Sequence, residues 1–458
     1  MCRRRRAAYD AGMMVRKRIL VAGTAVFSML AASMLAAACS PSVTRPRAQP
    51  TIRTASCNCY TPQQLEVAYG VQPLLRRGID GRGETVVLPE LAESRLSPPL
   101  VTDLRKDLAA FDRLFHLPAP RLRFVSTFAG PKDPWLAYGE EVLDAEVVHS
   151  IAPRAALTIL LVKGTSLDSA RQAVAASVAA LRLGASEGDI ISLSPAGQVG
   201  GEHCVDHAQR GQLNAALQAA ADHHVTVVAA TGDAGAAGEP CALIDAIAPP
   251  GIGSGFIPRK EVILIASDPL VLSVGGTTLH ASHTTGAWMG ETTWGLPDGG
   301  PGTGFQASGG GFSRLFSQPS YQNGVPGIGA MRGVPDVAAD ANPSPGMAVV
   351  TSNALGGYEI SEHGGTSASA PLWAGIIALA DQYAGRHLGF VNPAIYQIAR
   401  GPRYHLAFHD ITEGSANTAR FPRGTITGYR AGPGWDPVTG WGSPNADVLV
   451  PLLAMSGR

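Results

Sequence analysis

Charge is what this chain has least of. Asp, Glu, Lys and Arg make up 16% of its 458 residues, and Lys+Arg and Asp+Glu both number 36. That balance leaves no global field for nucleic acid. So little charge beside 45% hydrophobic residues also excludes a disordered or solvating chain and implies a large buried core. There is no internal repeat and no second break in composition, so the sequence predicts one large domain over residues 60–458. Cysteine is scarce as well, at six. Glycine and proline are not, at 54 and 34, and they imply many tight loops.

The first residues are predicted to lie outside that domain. Basic residues at Arg3 to Arg6 and Arg16 to Arg18 precede a nearly uncharged apolar run, Ile19 to Ala38. This pattern is an export signal over residues 1–38. Ala36 to Ala38 before Cys39 resemble a bacterial lipobox, which would make Cys39 a lipid anchor; cleavage near Ala38 or an uncleaved membrane segment are the other readings. Residues 39–59 form a Pro-rich polar tether. The expected location is extracellular or the outer face of the cell membrane. Export implies an oxidising compartment. Of the cysteines past the tether's start, Cys204 and Cys241 each follow a predicted strand by a similar interval, so a bridge between them is favoured. Cys57 and Cys59 are left unassigned.

Along the domain, helical patterns alternate with continuous apolar strands. Strands are predicted at Glu84–Leu88, Leu157–Lys163, Asp189–Leu193, Val225–Ala230, Val262–Ile265, Leu270–Val274 and Met347–Thr351. Helices are predicted at Glu140–Ile151, Ser166–Leu183 and Gln209–His223. Uninterrupted apolar strands alternating with helices argue for an α/β fold, a mostly parallel sheet with helices on both faces.

The segment His363-Gly-Gly-Thr-Ser-Ala-Ser-Ala-Pro371 reads as a tight turn entering a buried helix, with Pro371 in its first turn. Ser367 falls at the helix start, where free N–H groups favour developing negative charge. An N-capping serine is the plain alternative. A serine nucleophile needs a base. No His-Gly-Thr-His segment opens a helix, and His363 precedes the turn and is expected to point away. Glu140 and Asp144 lie four apart on one helix face. Half-buried, they would share a proton and so supply one basic carboxylate held by a protonated one. Asp233, in Thr-Gly-Asp-Ala-Gly after a strand, stands where parallel sheets place ligands; protonated, it could donate to an oxyanion. A loop-shaping Asx turn is its plain reading.

Together these segments resemble the sedolisin family, the serine-carboxyl peptidases, over roughly residues 60 to 450. The resemblance implies a subtilisin-like fold and a peptidase with polypeptide substrates. It implies Ser367 as nucleophile, Glu140 as general base, Asp144 orienting Glu140, Asp233 at the oxyanion and Glu90 as an outer acid. Phe408 to Gly414 and Ala431 to Pro437 resemble the halves of the family's calcium site. Carried over, Asp410 and Asp436 give carboxylates, and Ile411, Gly432 and Gly434 give backbone carbonyls, to one structural Ca²⁺; such donors suit a hard cation. A monomer with no nucleic-acid partner is expected. Two departures stand out. The family carries a long propeptide where this chain has a short tether, and it often carries a Trp near Pro195. The competing functional reading is an inactive, surface-displayed binding protein that keeps the fold.

Overall fold

Strand Thr85–Leu91 (β1) shows why the sheet is covered on both faces. Val86 and Leu88 point into one core and Val87 into the other, and all three are fully buried. Ile190 and Ile191 divide in the same way, as do Val228 and Val227. This is the period-two alternation of a strand with no solvent side.

The computed structural model describes residues 52–53, 57–91, 102–126, 136–137, 139–162, 170–194, 200–237, 239, 241, 259–295, 306–353, 357–421 and 424–456. The predicted signal and Cys39 lie outside them. The described residues fall in the unit that runs from Pro50 to Arg458.

The main sheet contains β1, β2 (Arg121–Ser126), β3 (Ala156–Val162), β4 (Ile190–Leu193), β5 (Thr226–Ala230), β6 (Leu272–Ala281), β7 (Trp288–Thr293) and β8 (Val337–Asp340). Its order is β7-β6-β5-β4-β1-β3-β2, with β8 also paired to β6. Every pairing is parallel except β6 with β7. Helices α1 (Glu140–Ile151) and α4 (Thr366–Ala384) share one core. Helices α2 (Ala170–Glu187) and α3 (His207–Asp222) pack on the other face through Val174, Leu181, Leu213 and Leu217. The result is the three-layer α/β architecture expected from the strand pattern.

Four expectations need correction. Val262–Ile265 is not a strand: Ile263 makes one bridge to Gly201, and Leu264–Ser267 form a single helical turn. A short, fully buried apolar run carries no periodicity that separates the two. Met347–Thr351 is a strand as expected (Gly346–Ser352), in a separate four-stranded sheet with Tyr358–His363, Ile52–Arg53 and Cys59–Tyr60. That sheet therefore draws in residues assigned to the tether. Helix α1 is not half-buried, since every residue from Glu141 to Ile151 is buried. Its acids Glu141, Asp144 and Glu146 face protein, which a polar-means-exposed pattern cannot show. Pro371 lies beyond the first turn of α4.

Helix α4 crosses α1 where Gly375 meets Ile151. A Cβ on Gly375 would stand 2.8 Å from the Ile151 Cβ and 2.9 Å from its Cγ2. The absent side chain lets the helix carrying Ser367 approach the helix carrying Glu140. Cys204 is bonded to Cys241, as expected, and Cys57 to Cys59. Among the described residues no helix is long and apolar enough to cross a membrane.

Candidate active site

Three adjacent strands deliver side chains to one edge of the sheet. Glu90 lies at the C-terminal end of β1, Ser194 just past β4 and Asp233 just past β5. That edge is where parallel sheets bind ligands. Two helices begin there. Glu140 is the first residue of α1, and Ser367 the second of α4.

The Ser367 hydroxyl lies next to the Glu140 carboxyl, close enough to hold its pKa down, and Glu140 Oε1 has no hydrogen-bond partner among the described residues. Ser367 is almost fully buried, and Glu140 is part-exposed beside it. Burial pushes the Glu140 carboxyl up to about 7, against the Ser367 hydroxyl, and the charges of Asp233 and Glu141 add to the rise. Behind Glu140, burial raises Asp144 well above the usual carboxylate range, and the charge of Glu140 raises it further. Asp144 accepts the Ser194 hydroxyl at 3.0 Å on Oδ1 and 2.8 Å on Oδ2. Glu90 hydrogen-bonds Asp144 and is raised well above its usual range by burial, then by the charges of Asp144, Glu141 and Glu140. Carboxyls this close in a dry site cannot all ionise, so the chain Glu90–Asp144–Glu140 holds shared protons. Its exposed end is Glu140, next to the serine.

Asp233 is bonded to Thr366, the residue before Ser367 at the start of α4. Its Oδ1 accepts the Thr366 N–H at 2.8 Å and the Thr366 hydroxyl at 2.8 Å. Its own N–H donates to Glu239 Oε1 at 3.1 Å. Burial raises its carboxyl, and the Thr366 bonds oppose the rise. Gly365, with φ 88°, turns the chain into α4; a Cβ there would stand 2.7 Å from Asp233 Oδ2. Only glycine combines that backbone with that closeness. The free oxygen of Asp233 and the first N–H groups of α4 thus border the same space.

The structure brings together Ser367, Glu140, Asp144, Asp233 and Glu90. His363 is turned elsewhere: its Nε2 lies 2.9 Å from Ser361 Oγ, and burial lowers its pKa. Sequence reasoning passed over Ser194, Thr366 and Glu239. Ser194 had a usable signal, a hydroxyl directly past a continuous buried strand on the ligand edge. Thr366 and Glu239 had none, because their partner Asp233 is distant in sequence from the one and hidden in a loop from the other.

Asp410 and Asp436 stand on two separate loops that converge. The Gly434 N–H donates to both oxygens of Asp410 at 3.1 Å. Asp436 Oδ1 accepts the N–H groups of Val438 at 2.8 Å and Thr439 at 3.0 Å, and Oδ2 the Thr439 hydroxyl at 2.7 Å. The Tyr404 hydroxyl donates to the Trp441 carbonyl at 3.1 Å and feels the charges of Asp410 and Asp436. Ile411 is buried beside them. Burial pushes the Asp436 carboxyl up to about 7, against its hydrogen bonds from Thr439 and Val438. Two carboxylates among glycine-rich backbone fit a hard cation.

A serine set against a chain of carboxyls, at the ligand edge of a parallel α/β sheet, defines a serine–carboxylate site. The chain belongs to the sedolisin family of serine-carboxyl peptidases. It is 34% identical to kumamolisin from Bacillus sp. (strain MN-32) over 420 residues, covering 88% of this chain and 65% of that protein. It is 35% identical to sedolisin from Pseudomonas sp. (strain 101) over 195 residues, 42% of this chain and 30% of that one. It is 31% identical to human tripeptidyl-peptidase 1 over 271 residues, 55% and 41%. The chain thus spans less than two thirds of each of these relatives. The structure of Pseudomonas sedolisin, a serine-carboxyl proteinase complexed with two molecules of pseudo-iodotyrostatin, shares the fold. Its TM-score is 0.66 at 23% identity, covering 88% of this chain and all of that one. No family model matches the chain.

Proposed function

We propose that this protein hydrolyses peptide bonds in polypeptide substrates at acidic pH, through an acyl-enzyme on Ser367. The observation that carries the reading is the placement of the Ser367 hydroxyl beside the Glu140 carboxyl, backed by Asp144 and Glu90. Ser367 attacks the peptide carbonyl while Glu140 takes its proton. Asp144, fixed by Ser194, orients Glu140 and spreads the proton over the carboxyl chain. The oxyanion is received by protonated Asp233 and by the Ser367 N–H at the start of α4. Glu140 then returns the proton to the leaving amine, and water repeats the cycle against the ester.

Asp233 must carry a proton while Glu140 does not. The two repel each other when both are ionised, so the singly protonated pair is the working form and it persists only until the second proton leaves. Activity therefore falls at the pH where the last proton of the pair leaves and Asp233 ionises, a point that burial of Asp233 moves upward. The Asp410 and Asp436 loops, with the carbonyls of Ile411, Gly432 and Gly434, are read as holding one structural Ca²⁺, which would tie the two loops together. The basic and apolar N-terminal segment supports export, with Cys39 as a lipid anchor.

The test is digestion of fluorescent casein from about pH 3 to about pH 7, with Ser367→Ala as control. Cleavage by the wild type that the control lacks is expected. A folded wild type with no turnover anywhere in that range would leave a binding protein that keeps the peptidase fold.

A further inference from the structure

The opposite edge of the main sheet carries a second cluster that the peptidase reading does not use. Glu84 precedes β1, Asp189 precedes β4, Asp381 lies in the last turn of α4, and His387 follows that helix. One oxygen of Glu84, one of Asp381 and one ring nitrogen of His387 all lie within 4.8 Å of one another. Asp381 is fully buried, its Oδ1 accepts the Leu388 N–H at 3.0 Å, and its Oδ2 has no partner. An orphaned carboxylate oxygen in such a place calls for a proton or a cation. The position sharpens the demand, because a helix C-terminus already concentrates negative potential. The one guanidinium in this turn, Arg386, is directed to the Ser456 carbonyl at 2.8 Å.

His387 is set up as a ligand. Its Nδ1 lies 2.8 Å from Asp189 Oδ1, and Asp189 Oδ2 accepts the Thr85 N–H at 2.8 Å. A carboxylate holding one ring nitrogen leaves Nε2 with its lone pair outward, the arrangement that orients histidines on metals. The cluster adjoins a groove of about 710 Å³ lined by Thr85, Asp189, His223, His224, Arg386 and His387. Water therefore reaches it and can complete a coordination shell.

We propose that Glu84, Asp381 and His387 bind a first-row divalent cation, with Asp189 positioning the His387 ring. One imidazole with two carboxylates favours Zn²⁺, Co²⁺ or Mn²⁺ over Ca²⁺, which prefers oxygen alone. Zn–N and Zn–O bonds of about 2.0–2.2 Å need only a small inward turn of these side chains. The ion would join the far end of the Ser367 helix to the start of β1 and so raise thermal stability.

The full chain, stripped with a chelator, should take up one equivalent of Co²⁺ at pH 7 with visible d–d absorption, and Zn²⁺ should displace it. His387→Gln and Asp381→Asn should each weaken Zn²⁺ binding by at least about ten-fold, and Asp189→Asn by less. Asp410→Asn should bind Zn²⁺ as the wild type does, which separates this site from the calcium loops. Zn²⁺ should raise the melting temperature of the wild type but not of His387→Gln. His387 is half-exposed, so that variant should keep its fold, verified by circular dichroism. A folded wild type that takes up no stoichiometric Co²⁺ or Zn²⁺ would overturn the proposal, as would uptake unchanged in His387→Gln.

Discussion

Pro371 stands one helical turn after Ser367 in α4 and has no N–H to offer the Ser367 carbonyl. A proline inside a helix costs about 3 kcal/mol in hydrogen bonding and clash. Here the freed carbonyl meets the Ser194 hydroxyl at 3.4 Å, the same hydroxyl that bonds Asp144. The break in the helix thus couples the backbone of the nucleophile to the acid behind the base.

Ser194 should accordingly matter to the chemistry and little to binding. Losing a hydrogen bond to a protonated carboxyl removes about 0.5–1.5 kcal/mol, which corresponds to roughly a two- to ten-fold loss of rate. Ser194→Ala is expected to lower kcat by that factor with KM nearly unchanged. Because the Ser194 bond holds the Asp144 pKa down, the variant's pH profile should move to higher pH. Steady-state kinetics on a peptide substrate across pH checks both points; an unchanged profile would leave Ser194 as packing only.

Gly375 tests the helix crossing. Alanine is the better helix former by about 1 kcal/mol, yet its methyl would press on Ile151. Overpacking typically costs about 1–3 kcal/mol, so Gly375→Ala should lower the melting temperature and, by moving α4 off α1, lower kcat as well. A stabilised, fully active variant would show that the crossing has slack.

The strand–helix alternation, the ligand edge, the serine and the acids Glu140, Asp144 and Asp233 were legible because each sits in a local pattern: a glycine before a helix, a hydroxyl at a helix start, an aspartate between glycines after a strand; Glu90 followed from the family resemblance alone. What stayed hidden depends on contacts between distant segments. Nothing near Thr366 announces that its N–H and hydroxyl both serve Asp233. Nothing in the alternation of Met347–Thr351 tells which sheet it joins. Helix α1 looked half-exposed because its buried acids find one another only in three dimensions.

Acid stability follows from the buried carboxyls. Glu66 is pushed from 4.5 up to about 7 by burial. Between those values the unfolded chain releases a proton that the native state keeps, so its contribution is full below the ordinary carboxyl range and is lost as pH rises to about 7. Glu140 has the same sign. Melting temperature should therefore decline from pH 4 toward pH 8. Glu66→Gln should match the wild type at pH 4 and exceed it at pH 8 by up to about 3 kcal/mol, read from denaturant unfolding. Equal stability at both pH values would contradict the assignment.

Calcium removal should loosen the C-terminal loops. EDTA is expected to lower the melting temperature and added Ca²⁺ to restore it, with Asp436→Asn insensitive to both. A melting curve indifferent to EDTA and Ca²⁺ would remove the ion from the account.

The most direct measurement is kcat/KM for peptide hydrolysis by Glu140→Gln, taken alongside the wild type near pH 4. Glutamine keeps the size of the side chain but cannot take the Ser367 proton. The account predicts a loss of at least about a thousand-fold with an unchanged melting temperature. Activity within a few-fold of the wild type would mean that Ser367 is activated by some other group.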